Sequence, residues 1–126
     1  MKKIFITLAF LLAACNNSEN LKVGTYKMVN SPNNVPITVS FSDDGNLNAK
    51  VVNIIMGEYK AKNGSITITL KGATMMMGPQ NEMDAEQKFI QTLPSIKRYK
   101  MQGNKLFLIL DDGKEVILES YVETKE

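Results

Sequence analysis

The sequence predicts a mainly β (α+β) fold: an antiparallel meander curling into a half-open β-barrel of about eight short strands, with one helix inserted between strands five and six. Three observations carry this. Apolar and polar residues alternate through most of the chain after Leu21, glycine-containing turns separate those runs, and near Asn81 the apolar period lengthens from two to that of a helix.

The first strand is expected over Lys22 to Val29, patterned around Val23, Tyr26 and Met28 and broken by Ser31-Pro32-Asn33-Asn34. Ile37, Val39 and Phe41 alternate with Thr38, Ser40 and Ser42 in the second. Asp43-Asp44-Gly45 supplies turn residues that tolerate positive φ, and Asn46 to Val52 returns. A short strand around Met56-Gly57-Glu58-Tyr59 ends at Asn63-Gly64, the strongest hairpin signal in the chain. Ile66, Ile68 and Leu70 then share one face of the fifth strand.

Pro79 and Asn81 suit the start of a helix, and Glu82, Asp84 and Glu86 favour its positive end. Met83, Ala85 or Glu86, Phe89, Ile90 and Leu93 recur at helical spacing as one buried stripe, with Lys88 facing solvent, until Pro94 stops it. Three strands follow: Ser95 to Gln102, Lys105 to Leu110 and Glu115 to Val122, turned by Gly103-Asn104 and Asp111-Asp112-Gly113.

The beginning of the chain has a different character. Lys2 and Lys3 precede the apolar run Ile4 to Leu12, which ends in Leu12-Ala13-Ala14-Cys15. The run is far short of the roughly 20 residues needed to span a bilayer, and small residues sit where a peptidase must reach the backbone. Residues 1–14 are therefore expected to be a lipoprotein signal peptide. Cys15 would be the lipidated new N-terminus, and 15–20 a polar tether to a domain over 21–122. Cys15 is the chain's only cysteine, so no internal disulfide is available.

Removing residues 1–14 of 126 leaves 112, enough for one core. The full chain holds 15 basic and 13 acidic residues, and losing Lys2 and Lys3 brings the two into balance. A neutral domain is poorly suited to nucleic acid, where several phosphates must be neutralised, and no nucleic-acid partner is expected. The chain has no histidine, so the commonest general base and zinc ligand are missing. No enzymatic activity, cofactor or metal is expected.

Four stretches, taken in order, resemble the META domain family of bacterial envelope proteins, the HslJ-like heat-shock proteins among them. Leu21-Lys22-Val23-Gly24-Thr25-Tyr26 is similar to the family's opening Leu-x-Gly-Thr-Trp strand, with Tyr26 for the tryptophan. Asn53, Gly57 and Tyr59 fit its Cys-Asn-x-x-x-Gly-x-Tyr element, with Val52 for the cysteine. Thr74 to Gly78 fits Thr-x-Met-x-Cys with Gly78 for the cysteine, and Glu86, Phe89 and Leu93 fit the helix motif Glu-x-x-Phe-x-x-x-Leu. The resemblance implies envelope stress tolerance and an apolar cleft. If the family's two cysteines pair, it also implies that Val52 and Gly78 are neighbours.

The candidate cleft or motif residues are thus Asn53, Gly57, Tyr59, Thr74, Met75, Met76, Met77 and Phe89, beside lipidation at Cys15. Each has a structural reading as well. Gly57 suits a bulge or close backbone approach, Asn53 a hydrogen bond to its own turn, and Tyr59 a cap on the core. Met75-Met76-Met77 offers soft ligands for reduced copper, but three consecutive side chains in a loop cannot all converge on one ion. Asp43-Asp44 and Asp111-Asp112 are each followed by glycine and read as turns before calcium ligands. The expected function is a non-enzymatic envelope lipoprotein held to the membrane by lipid on Cys15. It would lie at the outer membrane facing the periplasm and act through an envelope protein. The alternative is a carrier for an acyl chain or other small apolar molecule.

Overall fold

A computed structural model describes residues 20–121, so the expected signal peptide, Cys15 and residues 16–19 lie outside the described residues. The strands are β1 (Gly24–Met28), β2 (Thr38–Phe41), β3 (Asn46–Lys50), β4 (Ile54–Lys62), β5 (Ser65–Ala73), β6 (Ile96–Gln102), β7 (Lys105–Leu110) and β8 (Glu115–Ser120). One α-helix, α1 (Gln80–Thr92), joins β5 to β6 through a short 3-10 turn at Leu93–Ser95.

The expected order is present, and the sheet goes further than half-open. Tyr26, Lys27 and Met28 of β1 pair with Ser120, Glu119 and Leu118 of β8, closing a barrel in which every strand adjoins its sequence neighbours. Closure removes the two free edges a meander would expose. The narrowest seam is β5 to β6, registered only at Ser65↔Arg98, where α1 interrupts the succession of hairpins.

Turn chemistry explains the hairpins. The Asp44 carboxylate accepts the Asn46 N–H at 3.1 Å and the Asp112 carboxylate accepts the Lys114 N–H at 2.9 Å, so both acidic pairs serve their turns. Asn63 and Gly64 adopt φ of 51° and 87°, the doubly positive pair that suits the right-handed twist of a hairpin.

Alternation along the strands fills the barrel. Phe41, Leu47, Ile55, Leu106, Leu108 and Leu118 are among its most deeply buried side chains. Phe41 meets Tyr26 and Tyr59 edge-on at 5.8 and 5.0 Å, and the Tyr59 hydroxyl donates to the Ser42 carbonyl at 2.6 Å. The Tyr26 hydroxyl donates to the Lys22 carbonyl at the same distance.

Burial raises the pKa of both phenols. The charge of Tyr59 adds a smaller push at Tyr26, and those of Asp43 and Asp44 at Tyr59. A folded pKa raised above the unfolded value of about 10 gives stability that is complete below that pH and is lost as pH rises through the folded pKa. Stability should therefore fall above about pH 10, less steeply in a Tyr26→Phe, Tyr59→Phe variant. Denaturant midpoints followed from pH 8 to 11 check this, and parallel declines in the two proteins would contradict it.

Candidate functional site

β3 ends at Lys50, two residues short of the expected Val52, because the chain there turns toward the helix. Asn53 is only 3% exposed. Its side chain does not serve its own turn, as the sequence suggested, but spans three elements. Its Oδ1 accepts hydrogen bonds from the Thr74 hydroxyl at 2.8 Å and from the Met76 N–H. Its Nδ2 donates to the Met76 carbonyl at 3.2 Å and to Glu86 Oε2 at 2.9 Å. Asn53 thus binds both backbone polar groups of Met76.

Glu86, buried on α1, completes the cluster. Its Oε1 accepts the Val52 N–H at 3.0 Å and the Asn53 N–H at 2.7 Å. No cation is among these partners; three N–H donors hold the carboxylate. Charge-assisted bonds of this kind are shorter and stronger than neutral ones. Thr74 ties the loop to β4 by accepting the Ile54 N–H at 3.0 Å and donating its own N–H to the Ile54 carbonyl at 3.1 Å. Among the described residues no buried side-chain nitrogen or oxygen lacks a partner.

The other half of the helix faces the barrel. Ala85, Phe89 and Leu93 are buried, Phe89 and Leu93 join the barrel core, and Lys88 is exposed, as the stripe predicts, whereas Met83 and Ile90, expected in the same buried stripe, are only half-buried. Pro79 precedes the first turn, and its carbonyl accepts the Glu82 and Met83 N–H groups at 3.0 Å each.

The segment between β5 and α1 is therefore fixed by its backbone while its side chains point outward. Met75 is 91% exposed, Met77 86% and Met76 51%. With Met83 and Ile90 of α1 they line a hollow of about 350 Å³ floored by Asn53 and Glu86. A Cβ placed on Gly78 would lie 3.7 Å from the Val52 Cβ and 3.0 Å from its Cγ1, so the two positions are in contact.

Of the predicted residues, Asn53, Thr74, Met75, Met76 and Met77 come together. Gly57 and Tyr59 do not line this hollow. Gly57 sits at a register shift in β4, where a Cβ would meet the Thr69 carbonyl at 2.6 Å, as the close-approach reading required. Tyr59 is a core cap, and Phe89 is core. Sequence reasoning missed the role of Glu86. Its signal was an acid within the buried stripe of a helix, which requires donors from another element.

The META domain profile matches residues 14–122, nearly the chain's whole length. The chain belongs to the META domain family. Two solved structures share the fold. A protein from Burkholderia xenovorans, solved by NMR, is 20% identical with a TM-score of 0.66, over 82% of this META domain chain and 85% of its own. A DUF4847 family protein from Bacteroides vulgatus, solved by crystallography, is 17% identical with a TM-score of 0.60, over 82% and 95%. None of the curated protein sequences matches the chain. Among the described residues no group of three or more Cys, Asp or Glu is placed to hold a metal ion.

Proposed function

We propose that this META domain protein is a non-enzymatic envelope lipoprotein that supports envelope integrity or stress tolerance through its surface. The observation that carries the reading is the contrast between a barrel filled with side chains and a rigid loop that holds methionines out in water. Exposed apolar groups kept in place by a buried polar cluster suit contact with a partner, since the fold gains nothing from exposing them.

The lipid anchor rests on the lysines, apolar run and Cys15 of the N-terminal sequence. The described chain leaves the barrel beside the β6–β7 turn, where Lys22 Nζ donates to the Gly103 carbonyl at 3.5 Å. The methionine loop follows the far end of β5. A barrel held through its N-terminus would present that loop away from the bilayer.

The carrier reading is favoured by the hollow itself, which at about 350 Å³ is near the lower bound for small-molecule sites. Cys15→Ser should abolish membrane retention while the barrel still folds, and the unlipidated protein should give a clean mass by native mass spectrometry. Equal membrane fractions of variant and wild type would contradict the anchor. A co-purifying lipid would replace the surface reading with the carrier.

A further inference from the structure

We infer that Met75, Met76 and Met77 form a site of reversible oxidation, a surface whose polarity an oxidant changes without unfolding the barrel.

Methionine is the only sulfur-containing residue type in the described chain, and the protein has no histidine. The thioethers are therefore the softest nucleophiles among the described residues. Their exposure spans a wide range: Met75 and Met77 are 91% and 86% exposed, Met76 is 51% and Met56 40%, whereas Met101 is 3% exposed, with its sulfur 3.8 Å from the Tyr26 hydroxyl inside the core. Oxidising Met101 would put a polar sulfoxide among apolar side chains. Oxidising the loop would not. The loop is held by the Asn53 contacts to the backbone of Met76, by Thr74, and by Gly78 against Val52; none of these uses a thioether.

The oxidant class is a peroxide. A sulfur lone pair attacks one peroxide oxygen, the S–O bond forms as the O–O bond breaks, and the departing hydroxide takes the remaining proton and leaves as water. Sulfur loses two electrons and the peroxide gains two. Reversal uses a thiol-dependent methionine sulfoxide reductase, in which two thiols become a disulfide and the sulfoxide oxygen leaves as water. Three neighbouring sulfoxides would give an apolar rim strong hydrogen-bond acceptors. The consequence for a partner rests on the surface reading proposed above, while the rates and the stability of the oxidised protein do not, so the two can fail separately.

The test treats the full chain in nonionic detergent with hydrogen peroxide and follows each methionine by peptide mass spectrometry. Met75 and Met77 should gain oxygen about tenfold or more faster than Met101. The unfolding temperature of protein oxidised in the loop should stay within about 2 °C of the starting value. A methionine sulfoxide reductase with dithiothreitol should restore the original mass. A Met75→Leu, Met76→Leu, Met77→Leu variant should lose the fastest oxygen uptake while the rates at Met56 and Met101 stay unchanged. Equal rates at Met101, a fall of more than about 5 °C, or loop sulfoxides that the reductase cannot reduce in the folded protein would each overturn the inference.

Discussion

Glu86→Ala should lower the unfolding free energy by about 3 to 5 kcal/mol, a large share of the roughly 5 to 15 kcal/mol that holds a domain folded. The carboxylate accepts three hydrogen bonds of 2.7 to 3.0 Å. Alanine would leave the Val52 and Asn53 backbone N–H groups without acceptors, each at about 1 to 3 kcal/mol, and would strip Asn53 Nδ2 of one of its two partners. Glu86 is buried at 6% exposure but lines the open hollow, so water entering from there offsets part of the loss. Glu86→Gln should lose less, because its one carbonyl oxygen can still take the two backbone donors. Urea midpoints decide the matter, and an alanine variant within about 1 kcal/mol of wild type would show that the cluster does not hold the helix to the β3–β4 corner.

Phe89→Ala should cost about 3 to 5 kcal/mol by emptying a ring-sized volume where α1 meets the barrel core. The ring is 1% exposed, and the same stripe buries Leu93. Lys88→Ala, one residue away on the exposed side, should stay within about 0.5 kcal/mol. Equal denaturation midpoints for the two variants would mean that the helix turns a different face to the barrel.

The strands were legible because their causes are local. Ile66, Ile68 and Leu70 declare a face by alternation, and Asn63-Gly64 declares a turn by backbone preference. Closure was not legible, since Tyr26 meets Ser120 across almost the whole domain and no local pattern encodes that register. The site falls between these cases. Asn53, Thr74 and Glu86 were each picked out, in separate stretches, but their convergence depends on the β4–β5 pairing and on the register shift at Met56 and Gly57. Glu86 read as a stripe member because sequence position alone cannot say that backbone N–H groups 33 and 34 residues earlier will point at it.

The account centres on the loop after β5 being locked against the β3–β4 corner, and a crosslink there tests it most directly. The separation of 3.7 Å between the Val52 Cβ and a Cβ built on Gly78 lies within the roughly 3.5 to 4.5 Å that disulfides span. Replacing valine by cysteine also removes the two methyls, at 3.0 and 3.2 Å, that would crowd position 78, leaving one sulfur in their place. Val52→Cys with Gly78→Cys, in a chain carrying Cys15→Ser, should close a loop of roughly 26 residues under mild oxidation. The bridge should add about 3 to 4 kcal/mol of stability on the chain-entropy model and shift mobility on a non-reducing gel. Failure of the two cysteines to pair in the folded protein would contradict the account.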